Sequence, residues 1–412
     1  MEIFWYKLLI SLVLTIAIAL VLKFRLYLAR HVDFNDFKQF SVAFSLFRLL
    51  PFWGVYILLN YDTTSDVNIF YLSSLSAIKG GLVYRDFQSV YSPFFPYISG
   101  LFLLIWNSPK AIVLLMIFVE AAALWATIKW FNKVNMTVCT LIYLLLPTTF
   151  IFTIFGGQED VWMWGAFVAT LHVYRWKKSE FLLGAGLALG FLVSKLIFIL
   201  ILPGIFFLLQ NKVRFILGFL SIFAPIILIL YCQVGLQLLS PIQEANIPRT
   251  PNLLSLLRPF ISDVVPVGLP ILNWLGLLIN VFIGLVWISK KRLKFSTEDV
   301  FIQLFIITYI LLMLLQQSSY ANYAMLFLMP VLFLITESFV YSKWILFILL
   351  NVLLAIHPAL WWHNNLFYIT RFADLVNPLF AVEYLFEIVI VFGLLGILYE
   401  TYHTSVPGDM PN

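Results

Sequence analysis

Charge is what this chain has least of. Only 11% of its residues are Asp, Glu, Lys or Arg, against 62% hydrophobic and 18% aromatic. Soluble domains average roughly 25% charged and 45–50% apolar. A water-soluble globule of 412 residues needs a wettable surface that this composition does not supply. A soluble enzyme is therefore excluded, and the same apolar excess excludes a disordered chain. Cysteine is scarce too. Cys139 and Cys232 both lie in apolar runs, with neither a disulfide framework nor a metal-ligand spacing. Five histidines are too dispersed for a zinc site. There is no Gly-rich phosphate loop, no Walker pattern, no internal repeat and no low-complexity tract. The net charge of +5 comes from basic residues scattered at the ends of apolar segments. That placement argues against a nucleic-acid partner and for a topology signal.

Long apolar runs fill the rest. A spanning helix needs roughly 20 apolar residues. Such runs lie at 4–22, 41–59, 110–128, 137–155, 213–233, 267–289, 299–316, 322–339, 343–357 and 380–400. The shorter 161–175 ends in Arg175, Lys177 and Lys178 and is expected to span as well. The run 180–210 is too long for one upright helix, and Lys195 in its middle with Pro203 beyond predicts two short helices meeting near Lys195. Segment 4–22 lacks a small-residue cleavage site and is expected to be retained. The expected fold is all-α: one integral membrane domain over 1–412, with about 11–13 transmembrane helices by the length criterion.

Orientation follows from Lys and Arg in short loops. One side collects Lys23, Arg25, Arg30, Lys38, Lys129, Lys133, Arg175, Lys177, Lys178, Lys212, Arg214, Lys290, Lys291, Arg292, Lys294 and Lys343, which is 16 basic residues. The other side has seven: Lys7, Lys79, Arg85, Lys110, Arg249, Arg258 and Arg371. The richer side is expected to be cytoplasmic. This needs 94–106 to lie at the outer leaflet rather than cross, since 13 residues rise only about 20 Å as a helix. The extracytoplasmic segments are then 60–109, 156–160, 234–266 and 357–379, with 316–323 as a small fifth.

The first outer loop holds Asp62, Asp66, Asn68, Phe70 and Tyr71, then Lys79, Gly80, Gly81, Tyr84, Arg85 and Asp86, then Tyr91, Ser92, Pro93 and Pro96. A helical patch is expected over about 68–79, stopped by the paired glycines. Asp62 and Asp66, if helical, share a face. An acid at a helix exit is usually a cap. What raises these two above that reading is the string of tyrosines, glycines, an Arg-Asp pair and prolines that follows.

That string resembles the first luminal loop of the GT-C glycosyltransferases, and within them GPI mannosyltransferase I and related prokaryotic polyprenyl-phosphate-mannose-dependent enzymes. Asp66, Phe70, Gly81, Tyr84, Tyr91 and Pro93 occupy the places of that family's loop-one aspartate, aromatic helix, glycine, tyrosine and Tyr-x-Pro. Further along, Gly157, Gln158, Glu159 and Asp160 look like its small acidic outer loop. Lys195 looks like its lysine in a broken helix. Arg249, Thr250, Pro251 and Asn252 resemble its long outer loop, and Gln317 to Tyr320 through Pro330 its polar-aromatic patch. The likeness covers most of 41–340. It departs where the family's Asp-x-Asp needs an acid and this chain has Thr64, and helix 4–22 is extra.

The resemblance implies transfer of a sugar, mannose in the nearest relatives, from a polyprenyl-phosphate donor to a lipid or glycan hydroxyl, with inversion and no cofactor. Asp66 is the expected general base. Lys195, Arg249 and Arg85 are candidates to meet the leaving phosphate, and Asp62, Glu159, Asp160, Tyr320 and Asn322 to bind substrate. Arg85 reads equally as a local pair with Asp86. Glu120 reads either as a functional charge or as half of a buried pair. Trp361, Trp362 and neighbouring His357 read as an interfacial belt. The alternative function is a transporter or flippase for a lipid-linked sugar or small solute, which would collect charges near the midplane in paired half-helices. The site's membrane is the plasma membrane in a prokaryote and the endoplasmic reticulum in a eukaryote.

Overall fold

The computed structural model describes residues 1–131, 136–291, 297–334 and 339–403. Lys133, Arg292 and Lys294 lie outside the described residues. Among the described residues there is no β-strand beyond one isolated bridge between Val83 and Phe87.

Among the described residues, eight helices are long and apolar enough to cross a membrane: Glu2–Lys23, Phe37–Leu58, Pro109–Phe131, Lys212–Gln243, Pro270–Lys291, Thr297–Leu315, Tyr341–His363 and Pro378–His403. The pair Met136–Leu145 and Pro147–Ile154, bent by 56°, passes the same test when taken together and makes a ninth if it is one broken span. Pro147 starts the second piece, where its missing N–H breaks the ladder. The expected total of about 11–13 is reached only by adding shorter helices. Val161–Lys177 has 17 residues, about 25 Å of rise. Ala324–Leu334 has 11, all of them buried. With Thr297–Leu315, buried on every side, it forms a central post.

The run 180–210 is broken as expected, but the break is at Ser194 and Lys195, ahead of Pro203. Lys195 is extended, at φ −128° and ψ 151°. Pro203 sits in the first turn of the helix Leu202–Leu208, which tolerates it. Helix Glu180–Val193 rises about 21 Å over its 14 residues. The chain then returns, because the Glu180 carboxylate accepts the backbone N–H groups of Gln210 (3.1 Å) and Asn211 (3.0 Å). Residues 180–211 are thus a re-entrant hairpin whose two ends share the basic side and whose turn carries Lys195. Its first arm lies against helix Lys212–Val234 at two glycines. A Cβ on Gly218 would meet the Phe181 carbonyl oxygen at 1.9 Å, and one on Gly184 the Phe215 carbonyl oxygen at 2.2 Å.

Contacts sort by side as the basic residues do. At the Lys/Arg-rich end, Lys129 Nζ donates to the Asn35 carbonyl (2.8 Å), Arg175 pairs with Glu298 (3.0 Å) and Lys343 with Glu400 (2.8 Å). At the other end, Lys110 Nζ donates to Asn60 Oδ1 (2.6 Å) and the N-terminal amine meets His363 (3.2 Å). The first outer loop folds as helix Val67–Ile78, then a second helix, Phe95–Leu103, of nine residues. Nine residues rise about 13 Å, which is less than a crossing needs. The two helices join through Ser74 Oγ and Ser99 Oγ at 2.6 Å. They leave Ile69, Leu72, Leu101, Leu104 and Ile105 exposed, as helices lying in a lipid interface do.

Glu120 proves to be half of a fully buried pair. Arg48 Nε donates to Glu120 Oε2 (2.7 Å) and Nη2 to Oε1 (3.0 Å), a two-pronged match. The remaining guanidinium donors reach the Leu144 carbonyl (2.7 Å) and Thr149 Oγ1 (3.2 Å). This ties Phe37–Leu58 and Pro109–Phe131 to both sides of the Pro147 bend. Glu120→Ala should lower stability by about 3–5 kcal/mol, the cost of stranding a buried charge. Arg48→Met combined with Glu120→Leu should recover most of it. Thermal denaturation in detergent reads both, and equal losses in single and double variants would show that the pair is not the cause.

Candidate functional site

The helix break at Lys195 leaves carbonyls without helical partners, and the first outer loop supplies the donors. Ser92 N–H donates to the Ser194 carbonyl (3.3 Å) and Phe94 N–H to the Leu192 carbonyl (3.0 Å). The Tyr91-Ser92-Pro93-Phe94 stretch is therefore a lid on the hairpin turn. The Tyr91 ring packs with Phe70 and Phe95, with Phe70 edge-on to Tyr91 at 5.1 Å and to Phe95 at 5.3 Å. Tyr84, buried and at φ +70°, donates its hydroxyl to the Tyr91 carbonyl (2.6 Å).

The 156–160 loop is pressed onto the same place. Gly157 takes φ +53°, and a Cβ there would meet Val67 Cγ2 at 2.5 Å. The tight turn points Glu159 and Asp160 at Lys195. The ammonium lies 2.6 Å from Asp160 Oδ1 and 2.7 Å from Glu159 Oε1. The first contact is an aligned hydrogen bond. The second is a charge contact off the hydrogen-bond axis, and neither Glu159 oxygen has a hydrogen-bond partner among the described residues. The rings of Tyr323 and Tyr91 flank the ammonium at 4.9 and 5.6 Å. Burial pushes the Asp160 carboxyl up to about 7 against the pull of Lys195, with Glu159 adding to the rise.

A polar chain runs outward from this ion cluster. Asn322 Nδ2 donates to Asp160 Oδ2 (3.0 Å) and to Gln158 Oε1. Gln158 Nε2 donates to Asp66 Oδ2 (3.2 Å) and Ser65 Oγ (3.1 Å). Asp66 stands half-buried just before helix Val67–Ile78, with its side chain turned to Gln158 instead of capping the helix. Arg249 joins from the long outer loop. Its N–H donates to the Gln317 carbonyl (2.8 Å) and its guanidinium lies 5.9 Å from the Tyr320 ring, which packs on Trp361.

Asp66, Glu159, Asp160, Lys195 and Asn322 thus form one connected network, with Arg249 and Tyr320 joined to it through the 316–323 segment. Two candidates stand elsewhere. Arg85 makes a two-pronged pair with Asp86, both contacts at 2.9 Å, with side chains 54% and 39% exposed. That pair and the Leu82 N–H hold the Asp86 carboxyl down at about 2. Of the two readings of Arg85, the local pair is the one the structure contains. Asp62 does not share a helical face with Asp66. The chain from 60 to 64 is irregular, with Asn60 and Ser65 at positive φ, and Asp62 is exposed. Lys195, for its part, is not a lysine inside a lipid-facing helix but the matched cation of two acids.

Sequence reasoning passed over a second polar group nearby. His357 was expected at the membrane surface and is instead fully buried, 3.2 Å from Thr250 Oγ1. Beside it are Glu383 and Glu387, also buried. Glu387 accepts from Ser255 Oγ (2.5 Å) and Glu383 from Asn364 Nδ2 (2.6 Å). Two glutamates four residues apart inside the apolar run 380–400 were the available signal. No protein-family model matches the chain, and no curated protein matches it.

Lys195→Met would leave Glu159 and Asp160 buried without their cation. A loss of about 3–5 kcal/mol in detergent melting is expected. Adding Glu159→Gln and Asp160→Asn should restore most of it. A wild-type melting point for Lys195→Met would show that the ion cluster does not hold the hairpin turn.

Proposed function

We propose that this membrane protein is a glycosyltransferase. It moves a sugar, mannose by the loop-one resemblance, from a polyprenyl phosphate to an acceptor hydroxyl on the extracytoplasmic or luminal face. The observation that carries the reading is the setting of Asp66. It is a half-buried carboxylate beyond the end of a spanning helix, held by one amide and coupled through Gln158 and Asn322 to the Lys195 cluster. Its other oxygen accepts no hydrogen bond among the described residues and is the one assigned to take a proton.

In the reaction the acceptor oxygen attacks the anomeric carbon from the face opposite the phosphate. The bond from that carbon to the phosphate oxygen breaks, its electron pair leaves with the phosphate, and the hydroxyl proton passes to Asp66. The configuration inverts in this single displacement. Arg249 is the group assigned to the leaving phosphate, on geometry an Arg side chain suits. Lys195, already matched by two carboxylates, is assigned to positioning: it fixes Asp160, hence Asn322, Gln158 and the angle of Asp66. Tyr320 and Asn322 line the approach.

The transporter reading keeps one specific observation in its favour, the re-entrant hairpin with a charged turn. Proteoliposomes carrying radiolabelled polyprenyl-phosphate mannose and a membrane glycolipid extract separate the two. A glycosidic product in the extract supports the transferase. Label crossing the bilayer with no product would replace it with the carrier. Within the transferase, a positioned base is worth about 10²–10⁴ in rate, so Asp66→Asn should lose at least about 10²-fold in turnover while keeping donor binding. Asp62→Asn, in the solvated loop, should stay within a few-fold of wild type. The reverse order would remove Asp66 from its role.

A further inference from the structure

We propose that His357, Glu383 and Glu387 bind one divalent transition-metal ion behind the outer loop 249–258. The three residues can each present one ligand atom, an imidazole nitrogen and two carboxylate oxygens, with all three atoms within 4.8 Å of one another. An ion such as Zn²⁺, with bonds of about 2.1 Å, sets tetrahedral ligand atoms about 3.4 Å apart. Small side-chain rotations bridge that difference.

Three observations favour a cation here. First, the side chains are withdrawn from solvent, at 0% exposure for His357 and Glu383 and 2% for Glu387. Second, the site is short of partners. His357 Nδ1 and Glu383 Oε1, both buried, have no hydrogen-bond partner among the described residues. Third, neither glutamate is ion-paired among the described residues, although two carboxylates four residues apart share one helical face. Two adjacent acids at this depth either stay protonated or share a cation, and the histidine beside them offers such a cation a third ligand.

The mixed imidazole and carboxylate donors fit Zn²⁺ or Mn²⁺, and the absence of sulfur ligands speaks against Cu(I). Ser255, on Glu387, and Asn364, on Glu383, are outer partners that would hold the ligating carboxylates in orientation. Because Thr250 and Ser255 belong to the long outer loop, the ion would also fasten that loop, and Arg249 with it, to helices Tyr341–His363 and Pro378–His403. The inference stands whether or not the chain is a transferase, since it is read by binding and not by turnover.

The test uses the full chain in detergent, stripped with a chelator and titrated with MnCl₂ or ZnCl₂. One equivalent should bind and raise the melting temperature by several degrees. Pulsed EPR of the Mn²⁺ form should show coupling to an imidazole nitrogen. His357→Gln should abolish that coupling, and Glu383→Gln or Glu387→Gln should abolish binding in protein that remains monodisperse. Should the variants aggregate, the wild-type spectrum decides by itself. No stoichiometric binding of either ion, or bound Mn²⁺ without nitrogen coupling, would overturn the site.

Discussion

Inside hydrocarbon no charge and no backbone carbonyl persists without a partner, and at Lys195 this chain must satisfy both conditions together. The hairpin turn exposes carbonyls because the helix stops there, and it carries an ammonium far from the basic side. Everything around the turn answers one of those two needs. The backbone of Ser92 and Phe94 takes the carbonyls. Glu159 and Asp160 take the charge. Satisfying them fixes the first outer loop and the 156–160 loop against each other. That in turn sets Gln158 between Asp160 and Asp66. The candidate site is therefore the outward end of a chain of obligations that starts in the membrane.

The spans were legible because bilayer thickness sets a length and hydropathy reports it. The break at Lys195 was legible for the same reason, as a charge that an upright helix could not carry. The grouping of Asp66, Glu159 and Arg249 on one side followed from counting basic residues. What the sequence did not contain was pairing. Arg48 and Glu120 are 72 positions apart, and nothing local links them. Arg85 had its partner next door, so proximity in sequence decided it. Asp62 was assigned a helical face on the assumption that the helix began early. Positive φ at Ser65 ends that assumption, and Val67 is the first helical residue. His357 was placed at the surface by the tryptophans after it. A helix turn and a half separates them, enough to put Trp362 outside at 69% exposure and His357 inside at 0%.

The two polar centres are not independent. Residues 249–252 reach both: Arg249 binds the Gln317 carbonyl beside Asn322, and Thr250 binds His357. Asn252 caps the next helix by accepting from Ser255 N–H (2.8 Å), and the Ser255 hydroxyl donates to Glu387. Residues 249–252 thus link the 316–323 segment, which carries Asn322, to His357 and, through Ser255, to Glu387. Displacing this loop by an ångström would disturb Arg249 and the His357 group together. The bearing of the buried glutamates on the Asp66 network runs through this loop: they set where Arg249 can stand, while the Lys195 turn sets where Asp66 can stand.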